Sequence, residues 1–162
     1  MLKRLSFEEI LENWDSYKQH LKNAGASSHS WAKSNKYFHK YFEVVMGRVL
    51  GAMQSDGMHL WISYDNENSV NYLCITRLIK DGFTGQNNLN IFCITRIDQV
   101  EEEVAEKMWI EAFGTIANFA LQNNCSGIFG TTLLDHLVEK AKQSDLFGEA
   151  LFTNGIYWPL DN

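Results

Sequence analysis

Apolar side chains recur near the start of the chain at helical spacing. Phe7, Ile10, Leu11, Trp14, Tyr17 and Leu21 fall on one stripe of a 3.6-residue period. Ser6 and Glu9 open that stripe as a capping box, their hydroxyl and carboxylate satisfying backbone donors that a helix start leaves free. Gly25 supplies a stop. After a polar stretch over residues 26–30, a second stripe is carried by Trp31, Tyr37, Phe38, Tyr41, Phe42, Val45, Val49 and Met53, with Gly57 closing it. Gly47 and Gly51 lie inside this helix, each costing about 1 kcal/mol of propensity against Ala. A close packing contact or a break is expected there.

The period then shortens. Residues 59–64, 69–79 and 89–98 read as three strands, separated by a turn at 65–68 and a polar, glycine-bearing loop at 80–88. The second and third share a short echo, Cys74-Ile75-Thr76-Arg77 and Cys93-Ile94-Thr95-Arg96, and are apolar on both faces, as central strands covered by helices are. A helix over 100–122 follows, with Val104, Met108, Phe113, Ile116 and Ala120 on one side and Asn123-Asn124 at its end. Residues 125–130 are expected to form a short buried strand, and Thr132 with Asp135 caps another helix. Asn154-Gly155 between two apolar runs predicts a closing hairpin, with Pro159 at an edge or an end. The order is ααβββαβαββ, and the strand–helix–strand over 89–130 predicts a right-handed βαβ unit.

This order resembles the GNAT N-acetyltransferase fold over nearly the whole chain. Leu60-Trp61-Ile62-Ser63-Tyr64-Asp65 sits where that family has its first meander strand and turn. Phe92-Cys93-Ile94-Thr95-Arg96-Ile97 sits where the central strand leads into the cofactor loop, and Gly127-Ile128-Phe129-Gly130-Thr131 at the strand after the long helix. More narrowly, the chain is similar to small GNAT-like proteins of tailed phages. The resemblance implies an α/β domain spanning residues 1–162, with a mixed, mostly antiparallel sheet of six or so strands and helices on both faces. It also implies a loop of the type Q/R-x-x-G-x-G/A, whose glycines let backbone N–H groups reach the pyrophosphate of acetyl-CoA.

The matching segment departs from that pattern. Ile97, Asp98, Gln99, Val100, Glu101, Glu102 and Glu103 contain no glycine and four carboxylates. Acids in a first helical turn favour the helix dipole, and the same acids repel a pyrophosphate. Active members also carry a Tyr as general acid. Tyr157 is the candidate beyond Tyr72, but it lies on the closing strand rather than at the family's position.

Composition narrows the functions further. The chain has 162 residues, enough for one well-filled domain, and 13% of them are aromatic. A net charge of −6 argues against a general nucleic-acid binder, although Lys33, Lys36, Lys40 and Arg48 fall in one region, where a solvated helix face is the plainer account. Cys74, Cys93 and Cys125 each lie in an apolar run and read as buried thiols of a reducing compartment. Neither a signal peptide nor a membrane span is read, so a cytoplasmic location is expected, in host cytoplasm or virion for a phage protein.

Other constellations carry less. His136 and Glu139 share a helix face, as an exposed polar pair more often than as metal ligands. Residues 82–86 bear glycines but lack the Lys-Ser/Thr of a phosphate loop. Pairing of Cys125 with a histidine as nucleophile is set against a strand-buried thiol. Trp31, Tyr37, Trp109 and Trp158 serve as a contact surface or as core. Two functions stay open. One is a non-catalytic module working by protein–protein contact, with a protein partner or a second copy and no cofactor. The other is an acyl-CoA-dependent N-acetyltransferase with a divergent acetyl-CoA site. The acidic, glycine-free loop favours the first.

Overall fold

The sheet is organised around β2 (Met58–Tyr64), in which every residue but the last is buried. A strand covered on both faces must lie inside the sheet, with helices above and below. The computed structural model describes residues 2–27, 40–64, 70–96 and 102–130. Preceding β2 are β1 (Leu2–Arg4), α1 (Phe7–Glu12), α2 (Trp14–Ser27) and α3 (Phe42–Gln54). Following it are β3 (Val70–Lys80), β4 (Asn87–Arg96), α4 (Glu102–Gln122) and β5 (Cys125–Gly130). All of these but Gly130 fall in one compact unit, Met1–Phe129. The helix expected after Thr132 and the hairpin at Asn154-Gly155 lie outside the described residues.

The strands stand in chain order, β1-β2-β3-β4-β5, and the first three pairings are antiparallel. One face of β2 and β3, carrying Leu60, Ile62, Leu73 and Ile75, packs against Ile10 of α1, Leu21 of α2, and Phe42, Met46, Val49 and Met53 of α3. The opposite face, with Trp61 and Cys74, packs with Leu89 against Ala112, Ile116 and Ala120 of α4. The small alanines let α4 lie close to the sheet. The α/β class and the helices on both faces are therefore as the periodicities predict, and the antiparallel meander is as the resemblance implies.

Several details differ. The opening segment pairs as β1, with Leu2 opposite Ser63 and Arg4 opposite Trp61. Three residues are too few to show a period, but they cover the open edge of β2. The first helix is not continuous from 6 to 25. It breaks at Asn13, whose amide nitrogen Nδ2 donates back to the Glu9 carbonyl at 3.5 Å and whose N–H reaches the Ile10 carbonyl. An Asn side chain competes with the helical ladder in this way. The capping box forms as read: Ser6 Oγ accepts from the Glu9 N–H at 3.3 Å, and Glu9 Oε2 accepts from the Ser6 N–H at 2.8 Å.

Gly47 and Gly51 mark neither a contact nor a break. Both lie on the exposed side of α3, and a Cβ at either would meet nothing within 4 Å. β3 is buried on both faces near its centre, but β4 leaves Phe92 and Ile94 substantially exposed, and β5, expected to be buried, is exposed at four of its six residues because it lies at the edge of the described sheet. β2, rather than β4, is thus the second doubly covered strand.

Candidate functional site

The connection from β4 to α4 is where the resemblance places a cofactor loop. β4 ends at Arg96 and α4 begins at Glu102. Ile97, Asp98, Gln99, Val100 and Glu101 lie outside the described residues, and Glu102 and Glu103 form the first residues of α4. A helix start offers free N–H groups to an anion. Here the two leading helical residues are acids, and the next glycine along the chain is Gly114.

β4 itself carries a feature that sequence reasoning missed. Ile75 stands opposite Cys93 and Thr76 opposite Ile91, so Phe92 is an extra residue, a β-bulge. A bulge bends its strand and interrupts the ladder, and bulges concentrate beside functional sites. The signal was present as a slip in phase. Asn88 and Asn90 alternate with Leu89 and Ile91, after which Phe92, Cys93 and Ile94 run on without a polar residue. The bulge resolves this by returning Ile94, opposite Cys74, to the α4 side of the sheet.

The titratable groups that do converge lie at the other end of the α4 side. His59, 4% exposed on β2, has Nδ1 3.3 Å from Asp56 Oδ1. Asp56 sits in the turn between α3 and β2 with φ 57, a left-handed conformation that Asp tolerates better than most residues. The same Oδ1 lies 3.9 Å from Arg4 Nη1 of β1. The His59 and Trp61 rings both meet the Phe119 ring of α4 edge-on, at 4.8 and 5.1 Å. Arg4 lies over that ring at 5.1 Å. Beside them the buried Trp61 Nε1 donates to Thr76 Oγ1 at 2.9 Å. Burial pushes the His59 pKa below the ordinary histidine range; Asp56 opposes this and Arg4 adds to it.

Other sequence candidates find plain roles or fall outside the description. In the turn between β3 and β4, Asp81 Oδ1 accepts from the Phe83 N–H, the Thr84 N–H and Thr84 Oγ1, holding its own pKa down and occupying amides that an anion would need. Cys125 Sγ sits 4.0 Å from the Asn123 carbonyl oxygen, and burial pushes its thiol pKa up, away from the reactive thiolate. Lys40 lies over the Tyr41 ring at 5.2 Å. Trp109 belongs to α4 and Tyr72 to β3, opposite Ser63 and Arg96. Lys33, Lys36, Trp31, Tyr37, Asp135, His136, Glu139, Tyr157 and Trp158 lie outside the described residues. A recess of about 340 Å³ is lined by the consecutive residues Leu11 to Ser16 and is a notch at the α1–α2 break. Among the described residues, His, Cys, Asp and Glu do not gather in threes as metal ligands would, and no helix is long and apolar enough to cross a membrane.

No protein-family model and no curated protein matches the sequence. Solved structures do match the fold. A probable acetyltransferase superposes with a TM-score of 0.65 at 8% identity, covering 100% of this chain and 99% of its own. An aminoglycoside acetyltransferase from an uncultured soil metagenomic sample, in complex with sisomicin, gives 0.63 at 9% identity, covering 99% of this chain and 96% of its own. The ribosomal-protein-alanine N-acetyltransferase of Brucella melitensis biovar Abortus 2308 gives 0.60 at 9% identity, covering 100% and 99%. The chain has a GNAT-like fold. At such identities the likeness extends to the fold alone.

Proposed function

We propose that this chain is a GNAT-fold module that works through protein–protein contact rather than acetyl transfer, as a virion or assembly component of the tailed-phage type. The observation that carries the reading is the glycine-free connection leading from β4 into Glu102 and Glu103 at the start of α4. A pyrophosphate needs backbone N–H groups it can approach and a positive or neutral surround. Side chains at every position of residues 97–101, and acids on either side of the helix start, supply neither. One fold hosts many functions, so likeness to acetyltransferases does not by itself bring their chemistry.

A second reading has a specific observation behind it. The bulge at Phe92 interrupts the ladder of β4, the strand that borders β5, and such a feature suits an acyl-CoA-dependent N-acetyltransferase with a divergent acetyl-CoA site. Calorimetric titration with acetyl-CoA, and in parallel with desulfo-CoA, separates the two. The contact module gives no saturable heat even at about millimolar ligand. Saturable binding near micromolar or tighter would overturn it in favour of the enzyme.

A further inference from the structure

Among the described residues, buried His59 Nε2 finds no hydrogen-bond partner. Such atoms are rare in folded proteins, because an unpaired buried polar group loses its water without replacement. The ring is contacted from two different parts of the fold and stands opposite a third. Asp56, in the turn before β2, lies 3.3 Å from Nδ1. Phe119, on α4, meets the ring edge at an interplanar angle of 71°. Thr76, opposite on β3, has its hydroxyl engaged by Trp61. Arg4, the last residue of β1, reaches the same Asp56 oxygen and the same Phe119 ring. One carboxylate oxygen and one aromatic ring are thus shared between His59 and the strand that closes the sheet edge.

We propose that His59 is an acid-operated latch on β1: uncharged, it shares Asp56 with Arg4 and keeps the edge strand closed. Protonated, it draws Asp56 to itself, opposes Arg4 with like charge, and releases the strand. The added proton belongs on Nε2, which has no acceptor where it lies, so the ring must shift off Phe119 to reach one. That movement disturbs the ring over which Arg4 sits. The charged groups facing His59 are Asp56 from the turn and Arg4 from β1; β3 and α4 present Thr76 and Phe119, which do not titrate.

The direction of the pH effect follows from burial. The closed form binds the proton less tightly than an opened form, whose imidazole is solvated. Closure is therefore complete above the ordinary histidine range, near about 6.5, and is lost as pH falls from there through the lower value of the closed form. This inference is independent of acetyl-CoA binding.

Hydrogen exchange followed by NMR on the full chain tests it. The reporter is the Leu5 amide, next to Arg4, which donates to the Leu60 carbonyl at 2.9 Å. The Ile75 amide in the core serves as control, with rates corrected for intrinsic exchange at each pH. Leu5 protection is expected to fall by on the order of tenfold as the His59 ring titrates, while Ile75 stays protected. In His59→Phe, Leu5 protection becomes independent of pH over the same range. Should that variant not fold, Asp56→Asn is expected to show low Leu5 protection already at neutral pH. The latch is refuted if the ring titrates with Leu5 unchanged, if Leu5 and Ile75 lose protection together, or if the pH response survives in His59→Phe.

Discussion

The two faces of one sheet are packed by different rules. Against α1, α2 and α3 the sheet presents Leu60, Ile62, Leu73 and Ile75, met by aliphatic residues, methionines and Phe42. Against α4 it presents His59, Trp61, Ser63 and Thr76, all buried, with two T-shaped ring contacts and one side-chain hydrogen bond among them. The first face is held by burial of surface, which is non-directional and forgiving of shape. The second adds directional contacts to the apolar packing of Cys74 and Leu89 against Ala112, Ile116 and Ala120, and there the low dielectric that strengthens a buried hydrogen bond also penalises a missing partner. Both faces of the sheet thus bury apolar surface, and the α4 face adds directional ring and hydrogen-bond contacts to that burial.

The contrast can be tested by substitution. Leu60→Ala on the aliphatic face empties a fully buried position, and chemical denaturation should show a loss of about 2–5 kcal/mol. On the α4 face the change is one of pairing rather than volume. Thr76→Val leaves the Trp61 indole N–H without an acceptor, and about 1–3 kcal/mol should be lost. Adding Trp61→Phe, which removes the donor, should cost less than the sum of the two single changes in a double-mutant cycle. Additive losses there would mean that the hydrogen bond does not hold this face in register. The smallest effect has the opposite sign. Gly51→Ala, on the outer side of α3 where a Cβ meets open space, should raise the thermal midpoint, with a gain of up to about 1 kcal/mol. A loss at Gly51 would show that the outer side of the aliphatic layer is constrained as well.

Much of the architecture could be read from the chain. The Ser6–Glu9 capping box, the three meander strands, the helix over 100–122 and the strand at 125–130 all stand within two residues of their sequence positions. These features are local, and a stripe of 3.6 or an alternation of 2 records them directly. The places that differ are short or paired. β1 has three residues and takes its strand form from β2. The break at Asn13 depends on a side-chain bond that leaves the stripe from Ile10 to Leu21 intact. The bulge at Phe92 shows as a phase slip that only the register with β3 resolves. Of the segment that the resemblance assigns to a cofactor loop, Glu102 and Glu103 open α4, whereas the convergence at His59 left no mark in the sequence.

Composition and periodicity, by themselves, determined an α/β chain with three consecutive strands and a long helix whose first residues are acids. Those properties reside in residues close together along the chain, where spacing alone decides which side chains share a face and which backbone groups lie open. The tertiary structure alone decided that Arg4, Asp56, His59 and Phe119 meet around one carboxylate and one ring. They come from β1, a turn, β2 and α4, up to 115 positions apart, and are joined only when the sheet closes and α4 packs across it. No local pattern selects such a meeting, because its stabilising contacts exist only once the loops between those elements have been closed.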